Sequence, residues 1–315
     1  AQCLVGSEMC IRDSIPSHTT QIAHTYLCDR LESIMSENCT HNCSSCDQSC
    51  SNRTEPQSLI INAHPASHIK HIIAVVSGKG GVGKSSVTCQ LAVLMQRMGF
   101  KTAILDADIT GPSIPKAFGV HKAPETEGDY LYPDETKTGI KIMSVNLLLE
   151  DETTPVLWRG PIIAGTVKQF YSDIIWGDID YMFIDCPPGT GDVPLTIFQS
   201  IPIDGVVVVT TPQDLVSVIV GKAVHMADSM SIPVIGMIEN MSYFKCPDCG
   251  NIHHIFGKSR LEEVMKDLYI GNAIRLPINP KLADLMDQGQ IEDMDANADL
   301  QEMAELISNY NPDEM

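Results

Sequence analysis

Residues 78–85 read Gly-Lys-Gly-Gly-Val-Gly-Lys-Ser, set between an apolar run at 71–76 and a stretch at 84–98 with apolar residues at helical spacing. Gly78, Gly83, Lys84 and Ser85 satisfy the Walker A pattern G-x4-G-K-[ST], with Gly80, Gly81 and Val82 completing the turn and Ser86 following it. Glycines let backbone N–H groups turn inward onto phosphate oxygens, and the N-terminus of the following helix adds its dipole. Lys84 is expected to reach the β- and γ-phosphates, and the Ser85 hydroxyl to ligate Mg²⁺. A strand leading in and a helix leading out is the context this motif requires, so ATP and Mg²⁺ are the expected ligands.

The rest of the chain fits that start. Strands are expected at 71–76, 102–105, 140–147, 181–184, 205–210, 234–238 and 273–276, and helices at 84–98, 214–230 and 258–268. The valine run at 205–210 is typical of a strand covered on both faces. Strands alternating with helices give an α/β fold, a mostly parallel sheet with helices on both faces. In such a sheet the ligand lies at the carboxyl ends of the strands. Two acidic motifs end strands there: Asp106 and Asp108 in DADITGPS, and Asp185 in DCPPGTGD. Carboxylates so placed can hold Mg²⁺ through water and orient an attacking water.

Composition excludes several classes of partner. A formal charge of −19 over 315 residues gives no broad electrostatic grip on DNA, RNA or anionic lipid. No apolar run approaches the roughly 18–20 residues that span a bilayer. Neither a nucleic acid nor a membrane is therefore expected as a partner. The chain after Lys281, with ten Asp or Glu and no further Lys, reads as a solvated acidic helix.

Eleven cysteines are many for a nucleotide-binding chain, and paired cysteines in an intracellular enzyme point to metal or redox chemistry. Cys89 and Cys186 lie in apolar or motif settings and read as packing residues. Cys246-Pro-Asp-Cys249-Gly is a tight turn that points two thiolates at one metal, half of a tetrahedral site. A symmetric dimer supplies the other half, which suits a bridging 4Fe–4S cluster. Zinc with His253 or His254, or a redox or structural pair, are the rival readings on spacing alone. Upstream, Cys39, Cys43, Cys46 and Cys50 place four thiols within twelve residues, near the spacing of bacterial ferredoxin loops. His41 between them reads as a bystander.

Three segments are expected. The string SEMCIRDS at 7–14 is one reading frame of a common transposase adapter, so 1–34 is expected to be a non-native or disordered leader, with Met35 as the start. On that reading Cys3, Cys10 and Cys28 have no function. Neither a signal peptide nor a transit peptide is legible. Residues 35–68 form a Cys-rich segment and linker, and 69–315 the nucleotide-binding domain with its CxxC knuckle.

The second lysine of the loop, Lys79, resembles the deviant Walker A of the MinD/ParA/nitrogenase-iron-protein class. That resemblance implies a lysine that crosses a dimer interface to the partner's nucleotide, with Asp106 and Asp108 in switch I and Asp185 in switch II. It also implies an adenine contact at Asn240. More widely, GKGGVGKSS, DADITGPSIP, WRGP at 158–161, DCPPGTGDV and ENMSYFKCPDCG at 239–250 resemble the Mrp/ApbC iron–sulfur cluster carrier ATPases over 69–290. The resemblance implies a cytoplasmic homodimer with slow ATP hydrolysis. It further implies a 4Fe–4S cluster shared through Cys246 and Cys249, with apo iron–sulfur proteins as recipients. Eukaryotic relatives of that family carry an N-terminal four-cysteine cluster at wider spacing, so cluster, zinc and no ordered metal all stay open for 39–50.

Two other functions compete. A MinD- or ParA-like positioning ATPase needs a basic membrane helix or DNA face and leaves CPDCG unexplained. An ATP-driven electron-transfer protein of the nitrogenase type uses two ligands per subunit far apart in sequence, whereas here they are adjacent.

Overall fold

The computed structural model describes residues 59–109, 111, 113–121, 124–127, 130–148, 160–213 and 216–312. The four cysteines at 39–50 and the expected leader lie outside the described residues, as do Trp158 and Arg159 of the WRGP motif.

The first strand, β1 (His68–Ser77), runs into the glycine loop and helix α1 (Lys84–Arg97), followed by β2 (Thr102–Asp106). A short helix α2 (Ile114–Phe118) and small strands β3 (Thr126–Glu127), β4 (Tyr130–Leu131), β5 (Asp134–Glu135) and β6 (Lys141–Met143) come next. Helix α3 (Gly160–Ser172) then leads to β7 (Asp178–Asp185), α4 (Asp192–Ser200), β8 (Gly205–Thr210) and α5 (Val216–Ser229). The last part holds β9 (Val234–Lys245), β10 (Ile252–His253), α6 (Leu261–Asp267), β11 (Ala273–Pro277), α7 (Pro280–Asp287) and α8 (Ala298–Asn309).

Nine strands form the main sheet in the order β10-β9-β8-β1-β7-β2-β6-β5, with β11 also paired to β9. The central pairs β9–β8, β8–β1, β1–β7, β7–β2 and β2–β6 are parallel, and only β10 and β5 run antiparallel to their neighbours. Strand alternation divides the core in two. Ile72, Ala74 and Val76 of β1 face one side, packed with Val167 and Phe170 of α3, Ile197 of α4 and Val220 of α5. Ile73 and Val75 face the other, with Leu91 and Met95 of α1, Ile114 of α2 and Leu300 and Met303 of α8. Helices cover both faces, as the alternation of periods requires.

Four expectations change. The strand read at 140–147 ends at Met143, because Ser144 turns its hydroxyl to Asp106 Oδ2 at 2.9 Å and a 3₁₀ turn, Val145–Leu148, follows. The strand read at 234–238 continues to Lys245, held past its apolar part by a polar network described below. The helix read at 258–268 starts at Leu261, whose N–H is capped by the Ser259 hydroxyl at 3.2 Å. The C-terminal segment is not a solvated helix. Asn297 caps α8 through the N–H groups of Asp299 and Leu300, and Leu300, Met303, Ala304 and Ile307 are buried. Their i, i+3, i+4, i+7 spacing makes one apolar stripe, which the sheet covers.

Residues 59–67 run up to the sheet rather than standing off it: Ile61 N–H donates to the Ser200 carbonyl at 2.8 Å, and Ile61 and Ala63 pack on the core.

Candidate functional site

The sheet register brings the acidic motifs to the phosphate loop. Asp185 ends β7 opposite Asp106, which ends β2, and opposite Val75, two residues before the end of β1. The loop therefore opens over two carboxylates from neighbouring strands. Gly83 takes a left-handed backbone (φ 80°) at the start of α1, and a Cβ there would stand 2.3 Å from Asn240 Nδ2. At Gly78 a Cβ would meet Ile219 Cγ2 at 2.1 Å. Glycine at both positions is thus a steric requirement of this packing as well as a means of exposing backbone N–H groups.

Inside the loop the charges pair. Lys84, only 5% exposed, places Nζ 2.6 Å from Asp185 Oδ1 and 3.9 Å from Asp108 Oδ2. Ser85 donates its hydroxyl to Asp185 Oδ2 at 2.5 Å, and the Thr88 hydroxyl lies 3.0 Å from both Asp185 Oδ1 and the Lys84 carbonyl. Burial pushes the Lys84 ammonium down, but the charge and hydrogen bond of Asp185 and the charge of Asp108 outweigh it, and its pKa is raised. The opposite holds for Asp106. Full burial first, and then the nearby Asp185 charge, push its carboxyl up to about 8, against the lowering effect of the Ser144 hydrogen bond.

The donor set fits a magnesium nucleotide. A lysine and a serine hydroxyl converge with hard carboxylate oxygens at the mouth of a glycine turn, the groups that bind phosphate and Mg²⁺ respectively. Lys84, Ser85, Asp106, Asp108 and Asp185 are brought together as the sequence reading anticipated. Lys79 is half-buried on the loop, its carbonyl accepting from the Ser77 hydroxyl at 2.9 Å. Asn240 donates from Nδ2 to the Val82 carbonyl at 2.9 Å, which ties β9 to the loop. Thr88 and Ser144 escaped the sequence reading. Thr88 follows the motif by one helical turn from Lys84 and was legible in principle; Ser144 becomes visible only through the pairing of β6 with β2.

Cys246 and Cys249 sit in the hairpin between β9 and β10. The turn is closed by Cys246 N–H to the Asn251 carbonyl and Gly250 N–H to the Cys246 carbonyl, both at 2.9 Å. Cys249 is exposed and Cys246 half-buried. The N–H groups of Cys249 and Asp248 and the Cys249 thiol hold the Cys246 thiol below its ordinary pKa, which favours the metal-binding thiolate. Among the described residues no group of three or more His, Cys, Asp and Glu side chains is placed to hold a metal. One copy of the described chain thus offers two thiols, and neither His253 nor His254 completes a set. Cys89 and Cys186 are buried, burial pushing the Cys186 thiol up to about 12 and Cys89 well above its usual value, as fits packing residues.

No described helix is long and apolar enough to cross a membrane. The chain is 49% identical over 225 residues to the iron-sulfur cluster carrier protein of Methanocaldococcus jannaschii, covering 71% of this chain and 78% of that one. It resembles the solved structure of a nucleotide-binding protein in complex with ADP from Archaeoglobus fulgidus, with a TM-score of 0.66 and 42% identity over 74% of this chain and 90% of the other. The MinD cell division protein of Aquifex aeolicus shares the fold alone, at a TM-score of 0.53 and 19% identity over 76% of this chain and 98% of its own. The ParA family described as the NUBPL iron-transfer P-loop NTPase matches residues 68–310, and the chain belongs to that family.

Proposed function

We propose that this protein is an ATP-hydrolysing iron–sulfur cluster carrier: two copies hold a 4Fe–4S cluster between their Cys246 and Cys249 pairs and pass it to apoproteins. The observation that carries the reading is the half-site. Two thiols at the tip of an exposed hairpin, one tuned toward thiolate, sit in the same chain as a complete P-loop. A pair that the described residues of one chain leave unfinished is completed by a second copy, and four thiolates are the ligand set of a 4Fe–4S cluster.

Lys84 and the loop N–H groups would hold the phosphates, Ser85 would ligate Mg²⁺, and Asp106 and Asp108 would hold it through water and orient the attacking water. When bound, Mg²⁺ neutralises charge on the phosphates. Lys79 is assigned to the partner's nucleotide, and Asn240 to the base. Transfer is ligand exchange: each Cys246 or Cys249 thiolate leaving iron is replaced by a recipient thiolate, so no electron changes hands. A reducing cytoplasm, which keeps both thiol sets free, is the fitting compartment. The apolar stripe of α8 is buried in the core, so that helix does not offer the membrane-lying face of a positioning ATPase.

The test is delivery. Cluster-loaded protein, mixed anaerobically with an apo 4Fe–4S enzyme, is expected to restore that enzyme's activity, faster with Mg-ATP than without. No restoration, or equal restoration by Cys246→Ala/Cys249→Ala, would contradict the proposal.

A further inference from the structure

Strand β9 meets the phosphate loop and, six residues later, delivers Cys246. The chain between them is not a regular strand. On the β11 side Glu239 pairs with Arg275 and Tyr243 with Pro277, so one residue of β11, Leu276, stands opposite three of β9: Asn240, Met241 and Ser242. The two extra residues form a bulge, and Met241 within it adopts a left-handed backbone (φ 55°), which strains a residue that carries a side chain. Such strain persists only where surrounding contacts over-determine it.

Those contacts are present on both sides. Toward the nucleotide site, Asn240 Nδ2 holds the Val82 carbonyl at 2.9 Å, and Met241 N–H donates to Asn240 Oδ1 at 3.0 Å. The space over Gly83 is filled by Asn240 Nδ2 and Met241 Cε. Toward the cysteines, Glu239 staples the bulge. It is 1% exposed, and Ser242 donates to its Oε2 at 2.6 Å across the two extra residues. Its Oε1 accepts from Ser259 at 3.0 Å, and Ser259 lies on the arm that returns from the cysteine hairpin. Ser259 in turn accepts from Leu261 N–H and from Arg275 Nε at 3.1 Å, so its hydroxyl is fully used. Arg275 Nε, 4.0 Å from Glu239 Oε2, offsets the buried charge.

The hairpin with Cys246 and Cys249 therefore leaves from Ser242 and returns to Ser259, and both anchors are tied to one buried carboxylate. Among the described residues, Asn240 and Met241 link the anchors to the phosphate loop. We propose that Glu239 is a positioning residue: through the bulge at 240–242 it transmits the state of the phosphate loop to the cysteine hairpin, so that nucleotide binding changes the hold on the hairpin. The role of the hairpin as a cluster site rests on the function proposed above; the mechanical link does not require a cluster.

Hydrogen exchange at residues 245–253 of the full, cluster-free chain tests the link, read with and without saturating Mg-ADP and a non-hydrolysable ATP analogue. In the wild type, nucleotide is expected to change hairpin exchange by about fivefold or more, the scale of an ordinary coupling free energy. In Glu239→Gln the ratio with and without nucleotide is expected to fall toward one, while nucleotide affinity stays within about twofold. Ser259→Ala, which frees only the return arm, is expected to reduce the ratio in part. A residue that merely stabilised the bulge would raise exchange equally in both states and leave the ratio intact, and that result would overturn the proposal. So would a wild-type hairpin indifferent to nucleotide. A protein that shows the coupling but binds no cluster would sustain the link and defeat the carrier reading instead.

Discussion

Burial of Lys84 beside two carboxylates makes it a counter-ion for the fold, and the proposed function makes it a ligand for phosphate as well. Its removal should therefore act twice. Lys84→Ala leaves Asp185 without its cation in a site closed to water, at a cost of about 3–5 kcal/mol in the nucleotide-free protein by urea unfolding. It should also weaken nucleotide binding about 10–100-fold by titration with a fluorescent analogue. Lys79→Ala, on the half-buried loop, should on the proposed function impair dimerisation and ATP turnover. Asp106 sets a pH dependence of definite sign. Its carboxyl is raised from 3.8 to about 8 in the folded protein, so folding takes up a proton between those values. The associated stability is present at low pH and lost as pH rises through about 8. In magnesium-free buffer the advantage of Asp106→Asn over wild type, read from urea midpoints, should widen across that window and level off above it. A constant difference would place the proton elsewhere.

At the scale of elements, what was legible depended on whether a segment's own pattern or its neighbours decide its shape. The glycine loop, α1, β8 and the strand-end aspartates declare themselves through motif and apolar runs, and the structure sets them in place. The latter half of β9 does not. Glu239–Lys245 mixes charge, amide and aromatic residues without alternation, and it pairs because Glu239, Ser259 and Arg275 satisfy one another across two strands and the loop before α6. No local pattern encodes that. Helix α8 was a different failure. Its apolar stripe was written in the sequence at 300, 303, 304 and 307, but the acidic residues of its outer face masked it. The stripe gives a direct check. Met303 lies over Gly236, where a Cβ would stand 2.7 Å from Met303 Cε, so the two elements are closely fitted. Met303→Ala should destabilise by about 2–4 kcal/mol by urea denaturation. Glu302→Ala on the exposed face should change stability by no more than about 0.5 kcal/mol.

The described residues set the phosphate loop and its carboxylates at the carboxyl edge of a parallel sheet, and the Cys246 and Cys249 pair on a hairpin that one of its strands extends. The sheet explains the first, because helix N-termini and strand-end carboxylates converge there in any fold of this class. On the proposed function a second copy completes the metal site, since among the described residues no group of three or more His, Cys, Asp and Glu side chains is placed to hold a metal. The most direct test is anaerobic reconstitution with iron and sulfide, reading iron per chain, the absorption spectrum and the mass in solution. It should be run on the wild type and on Cys246→Ala/Cys249→Ala. The carrier account predicts a cluster-dependent dimer with about four irons per pair of hairpins, and predicts that the double variant loses that share of the iron and the dimer with it. A wild type that takes up only zinc and forms no cluster, or a double variant that keeps the full iron content, would contradict it.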